Sequence, residues 1–165
     1  MFKRLFLAAA VALTAFSASA VLPSVTLKDI NGNNVDTATL SNDGKPFVIS
    51  FFATWCKPCL RELKAVHDVL PDWQDETGVK VIAVSIDEAQ NEQKVKPLVD
   101  GKGWSEDYTV LLDPAGEFKR QMNVNDIPHV FVVDGQGNVV WNHQGYVDGG
   151  EEDILEAVQR KLQCG

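Results

Sequence analysis

Two runs of β-branched and aromatic residues bracket a stretch of helical period, and this constrains the fold most. Pro46–Phe52 reads PFVISFF and Val79–Ile86 reads VKVIAVSI. Between them Leu60, Leu63, Val66, His67 and Leu70 recur at helical spacing. A strand that is apolar at nearly every position is buried on both faces, which is the situation of a parallel sheet covered by helices. The minimal reading is a strand–helix–strand unit inside one α/β layer structure.

The rest of the chain extends that unit. Val25–Leu27, a turn-forming stretch from Asp29 to Asn34, and then Val35 and Thr37 predict a small N-terminal β-hairpin. Asn42-Asp43-Gly44 is a second turn. The helix that starts at Lys57 is expected to stop at Pro71. Asp87, with Gln90 three residues on, reads as the cap of a polar-faced helix over Glu88–Val99. Tyr108–Leu112 predicts a third strand, Pro114–Met122 a short helix, and Pro128–Val133 a fourth strand. After the turn Asp134–Gly137, Asn138–Asn142 predicts a fifth strand. Ile154, Leu155, Val158 and Leu162 mark one face of a last helix, acidic at its start and basic at its end, as the helix dipole favours.

The chain has 165 residues with a net charge of −8, which suits one domain and a poor nucleic-acid binder, since cations are what meet phosphates. The first twenty residues stand apart. Lys3 and Arg4 precede an apolar stretch, Leu5–Phe16, and Ala18-Ser19-Ala20 is a small-x-small cleavage site. This is the pattern of an export signal, with an uncleaved membrane anchor as the alternative. Residues 1–20 are therefore read as a signal peptide and 21–165 as one domain that works outside the cytoplasm, where disulfides persist. A monomer is expected.

In that setting Trp55-Cys56-Lys57-Pro58-Cys59 carries the chemistry. It lies between a buried strand and a helix start. Two intervening residues let both sulfurs meet in the first helical turn. The first cysteine faces unsatisfied backbone N–H groups and the positive end of the dipole, which favour a thiolate; Lys57 adds a cation. Cys56 is the expected nucleophile, attacking a disulfide, and Cys59 the residue that resolves the mixed disulfide. Trp55 adjoins the nucleophile and is expected to shape the substrate platform. The residues alone leave open a structural disulfide, a zinc half-site completed from Cys164 and the three histidines, or chance spacing. The loop is too tight to remove much unfolded-state entropy, and a closed zinc site wants four ligands. No metal or other cofactor is expected beyond the dithiol itself.

Phe51-Phe-Ala-Thr-Trp-Cys-Lys-Pro-Cys-Leu-Arg-Glu62 resembles the active-site segment of thioredoxin-fold proteins. It is particularly similar to the exported TlpA/ResA-like thiol-disulfide oxidoreductases. "VIAVSID" at Val81–Asp87, "LLDP" at Leu111–Pro114 and "IPHVFVVDGQGNVV" at Ile127–Val140 fit the same layout. The resemblance implies a thioredoxin-like α/β fold, a central mixed sheet flanked by helices on both faces, with an N-terminal β-hairpin. It implies a cis peptide at Pro128 beside the dithiol, which would leave the Ile127 backbone free to pair with an extended substrate. It implies a role for Glu62, one helical turn past Cys59, in taking a proton from Cys59 and tuning both thiols.

It also implies cysteine-containing exported proteins as substrates, apocytochrome c among them, and a membrane thiol-disulfide relay as electron source. A periplasmic reductase is the expected role. The departures are Ser50 where thioredoxins carry an aspartate, Lys64 where many relatives have proline, and His129 after the cis-proline. His129 is a candidate for pH dependence near the sulfurs. His67 reads as structural, and Cys164 as a frayed-tail thiol.

Three other functions compete. A disulfide-forming oxidase of the same fold would exploit the thiolate-favouring helix start. A peroxiredoxin-like peroxidase would need a threonine/serine-x-x-cysteine context that Thr54-Trp55-Cys56 does not supply. A metal-binding dithiol protein would use the same pair without catalysis.

Overall fold

The structure is a computed structural model that describes residues 20–163. Most of the export-signal segment, and Cys164, lie outside the described residues. Eight strands form one mixed sheet: β1 (Ala20–Val21), β2 (Thr26–Asp29), β3 (Asn34–Asp36), β4 (Phe47–Phe52), β5 (Lys80–Ser85), β6 (Tyr108–Leu112), β7 (His129–Val133) and β8 (Asn138–Gln144). Five α-helices accompany them: α1 (Lys57–Thr77), α2 (Val95–Gly101), α3 (Trp104–Asp107), α4 (Glu117–Gln121) and α5 (Glu151–Gln163). The strand order is β1-β8-β7-β4-β5-β6-β2-β3. β4, β5 and β6 run parallel, while β7 pairs antiparallel with both β4 and β8.

The continuous apolar run in β4 serves two cores. Val48 and Phe52 face one side, with Leu63, Val66, Leu70 and Trp73 of α1, Val95 and Val99 of α2, and Ile154 and Val158 of α5. Phe47, Ile49 and Phe51 face the other, with Phe118 of α4, Phe131, and Leu22, Val25 and Leu27 of the N-terminal segment. All six β4 residues are buried, as a strand covered on both faces requires. The N-terminal hairpin forms as expected, β2 pairing with β3 around a turn in which Asp29 Oδ1 accepts the N–H groups of Asn31 and Asn33.

Three local expectations are corrected. α1 does not stop at Pro71 but runs to Thr77, where Gly78 in the left-handed conformation (φ 67°) closes it. Proline within a helix removes one backbone bond and strains the preceding turn. Here the apolar stripe continues beyond it through Trp73, which is 4% exposed, and that burial holds the last turn in place. The helix expected over Glu88–Val99 is instead an irregular segment, a 3-10 turn at Glu92–Lys94, and the shorter α2. Pro97 suits the late start, because a residue without an N–H costs least in a first helical turn.

Asp87 is not a helix cap. Its carboxylate turns back to accept from Thr54 and Ser85. The capping role belongs to Asp113, whose two oxygens accept the N–H groups of Glu117 and Lys119 at 2.8 Å each and so set the start of α4.

Candidate active site

Cys56 and Cys59 are joined by a disulfide, with a Cα–Cα separation of 5.3 Å. Cys56 is the N-cap of α1, in an extended conformation (φ −88°, ψ 95°), with Pro58 in the first turn, where a missing N–H costs nothing. The Cys59 N–H points at Cys56 Sγ from 3.4 Å. The first sulfur thus sits where the orphan N–H groups and the dipole of a 21-residue helix converge. The two cysteines are not equivalent. Cys56 is 6% exposed and Cys59 is fully buried. An incoming sulfur reaches Cys56 first, and Cys59 only through the bond between them.

The Ile127–Pro128 peptide is cis, and it brings the Ile127 carbonyl oxygen to 3.9 Å from Cys56 Sγ. The Gly145 N–H donates to the Pro128 carbonyl at 2.8 Å. β7 enters the sheet ladder only at His129, opposite Phe51, so Ile127 lies ahead of the paired region and beside the sulfurs. Trp55 projects into solvent at 64% exposure. Trp55, Cys56, Ile127 and Pro128, singled out in the sequence, therefore form one rim of the molecule.

Glu62 lies beneath this rim. It is 3% exposed and accepts a hydrogen bond from the Ser50 hydroxyl at 3.2 Å. The period-two alternation of β4 places Ser50 on the α1 side, between Val48 and Phe52. The position where thioredoxins carry an acid thus holds the hydroxyl that meets this one. Burial pushes the Glu62 carboxyl up to about 8; the Ser50 hydrogen bond opposes the rise and the charge of Glu151 adds to it. Glu62 lines a small pocket together with Gly145, Tyr146, Val147 and Gly150 of the segment ahead of α5. There the Tyr146 hydroxyl donates to Glu151 at 2.9 Å and the Arg61 guanidinium sits 6.0 Å above the Tyr146 ring. Nothing in the sequence pattern pointed to that pocket, which depends on a contact between α1 and the turn before α5.

His129 is on the opposite face of the sheet from Glu62. It stacks on Phe131, with ring centroids 4.4 Å apart, and its Nε2 lies 3.2 Å from the Asn142 side-chain oxygen. His67 pairs with Asp107 at 2.8 Å and packs against Tyr108, a structural setting. Among the described residues no group of three His, Cys, Asp or Glu is placed to hold a metal, and no helix is long and apolar enough to cross a membrane.

The AhpC/TSA family profile matches residues 19–142. The thiol-disulfide oxidoreductase ResA of Bacillus thuringiensis subsp. konkukian is 29% identical over 123 residues, covering 74% of this chain and 67% of that one. Among solved structures, an uncharacterized thioredoxin-like protein from Porphyromonas gingivalis is 61% identical with a TM-score of 0.77, covering 87% of this chain and 93% of that one. A thio-disulfide isomerase from Thermus thermophilus is 33% identical with a TM-score of 0.67, over 87% and 95%. A cis-proline and a half-hidden CxxC dithiol on a thioredoxin-like sheet agree with these likenesses. The chain belongs to the AhpC/TSA family of thioredoxin-fold proteins, as a TlpA/ResA-like thiol-disulfide oxidoreductase.

Proposed function

We propose that the protein is an exported reductase of protein disulfides, with Cys56 as nucleophile and Cys59 as resolving thiol. The observation that carries the direction of electron flow is the buried Glu62, one turn along the dithiol helix from Cys59. Charges compete for control of the thiols. The helix start and Lys57 favour thiolate, but Lys57 is exposed and its field is screened by water. Glu62 is buried, and the same low-dielectric surroundings that keep its carboxyl largely protonated near neutral pH disfavour a thiolate beside it. Disfavouring the thiolates raises the energy of the reduced form as an anion and makes the pair a better electron donor.

In the forward reaction the Cys56 thiolate attacks one sulfur of a substrate disulfide. A mixed disulfide forms and the first substrate thiolate leaves, taking a proton from water. Cys59 gives its proton to the Glu62 carboxylate, and the resulting thiolate attacks the Cys56 sulfur. The second substrate thiolate leaves and the Cys56–Cys59 disulfide closes. Two electrons have passed from the dithiol to the substrate. A carboxyl whose pKa is about 8 exchanges its proton readily near neutral pH, which suits that step. The Ile127 backbone, ahead of the paired part of β7, is placed to hold an extended substrate strand. Substrates are cysteine-containing exported proteins, apocytochrome c among them, and a membrane thiol-disulfide relay restores the dithiol. The N-terminal signal supports export, and the likeness to ResA-like proteins favours a periplasm.

One observation favours the opposite direction. Cys56 Sγ is the cap of a long helix and receives the Cys59 N–H, which stabilises thiolate and would make an oxidant. Reduced protein mixed with a disulfide-bonded polypeptide and with hydrogen peroxide, in separate assays, discriminates among the roles. The polypeptide should be reduced with one disulfide closed on the protein per disulfide opened, and peroxide should not be consumed. Rapid peroxide turnover with an unreduced polypeptide would reassign the protein as a peroxidase.

A further inference from the structure

Asp87 is a buried carboxylate that the thiol chemistry does not use. It follows β5 and is 1% exposed. Its oxygens accept the Thr54 N–H at 2.8 Å, the Thr54 hydroxyl at 2.6 Å and the Ser85 hydroxyl at 2.8 Å. The Asp87 N–H donates to the Ser85 hydroxyl oxygen at 3.1 Å, and the Ile86 N–H to the Phe52 carbonyl at 2.9 Å. Three donors converge on the two carboxylate oxygens, and hydrogen bonds to a carboxylate are about twice as strong as neutral ones. Two of the three come from Thr54, in the loop that carries Trp55 and Cys56, and the third from Ser85 at the end of β5.

The two segments that Asp87 ties together line one groove, whose far side is the loop from Pro114 to Lys119. It has a volume of about 660 Å³ and runs from Trp55 past Ile86 and Gln90 to Pro114 and Lys119. It opens off the carboxyl ends of the parallel strands β5 and β6, where open α/β sheets bind their ligands. The strand order β7-β4-β5-β6 sets Ile127–Pro128, then Cys56, then Trp55 and the groove along a single sheet edge. A polypeptide whose sulfur sits on Cys56 therefore meets the cis-proline on one flank and the groove on the other.

We infer that Asp87 is a positioning residue that fixes Trp55 at the mouth of this groove, so that the chain flanking a substrate disulfide binds on the Trp55 side. The inference rests on the reading of Cys56 as nucleophile toward polypeptide disulfides. Asp87 touches no reacting atom and acts through Thr54. A small disulfide reacts at Cys56 without reaching the groove, whereas a peptide gains from it.

The test is single-turnover oxidation of the reduced protein, carrying Cys164→Ser, by two probes. One is 2-hydroxyethyl disulfide and the other a peptide of about ten residues, long enough to cross the groove, closed by one disulfide. Asp87→Asn sets an NH₂ against groups that now donate. It should lower the ratio of peptide rate to small-disulfide rate about tenfold, the effect of losing one such hydrogen bond. The loss should appear in the half-saturating peptide concentration rather than the limiting rate. Thr54→Val keeps the shape, removes only the hydroxyl, and should move the ratio the same way by less. The double variant should go no further than Asp87→Asn, because both changes break one network. Equal slowing of both probes by either variant, or an unchanged ratio in Thr54→Val, overturns the inference. Wild-type protein inert to both probes would contradict the nucleophile reading itself, so the wild-type reaction tells the two failures apart.

Discussion

Cys56→Ser will reduce turnover to background, while Cys59→Ser will bind its substrate covalently and stop. The asymmetry follows from burial. Cys56 is 6% exposed and Cys59 is not exposed at all. With Cys56 gone, the remaining sulfur lies beneath the helix start, out of reach of a substrate disulfide. With Cys59 gone, Cys56 still attacks, but no thiol is left to resolve the adduct. Both variants belong in a Cys164→Ser background, so that the tail thiol cannot substitute. Non-reducing electrophoresis and intact mass should show mixed disulfides in Cys59→Ser alone. Adducts formed by Cys56→Ser through Cys59 would reverse the assignment.

Glu62→Gln carries the second large effect, and its sign follows from linkage. The carboxyl titrates near 4.5 when unfolded and at about 8 in the folded protein. Between those values the native state holds a proton that the unfolded state has lost. Stability therefore falls as pH rises through that window and levels off above it. The whole span amounts to a loss on the order of 5 kcal/mol, at about 1.4 kcal/mol per pH unit. Glutamine keeps the shape and the Ser50 hydrogen bond without the ionisation. Urea unfolding of the oxidised protein at pH 5 and pH 8 should show a marked fall for wild type and a nearly flat response for Glu62→Gln. In the reduced variant the thiols should also titrate at lower pH, since no buried anion opposes their ionisation. An unchanged thiol titration would remove Glu62 from the chemistry.

How far the sequence foretold this molecule depended on whether a signal was local. The buried runs of β4 and β5 and the helical period after Lys57 were legible, because covering a strand on both faces leaves no polar positions. The CxxC at a strand–helix junction was legible because its function requires adjacency in sequence. What was not legible depended on contacts between segments. Pro71 looked like a stop, and only the burial of Trp73 against the sheet carries α1 beyond it. Asp87 and Gln90 had the spacing of a capping box, yet the donors that claim Asp87 come from Ser85 and from Thr54, 33 residues earlier. His129 follows the cis-proline directly, but strand alternation turns it against Phe131 and away from Glu62. Ser50 read as a missing acid. Its position on the α1 side of β4 makes it the partner of the acid that α1 supplies.

A Cys56–Cys59 pair that acts as an electron donor must hold a low reduction potential. The reduction potential of the mature Cys164→Ser protein, equilibrated in thiol-disulfide buffers, tests it most directly. The value expected of a reductase lies near or below that of thioredoxin, about −270 mV. A value near about −120 mV, that of a strong oxidant, would contradict it and mark a protein that installs disulfides in its substrates.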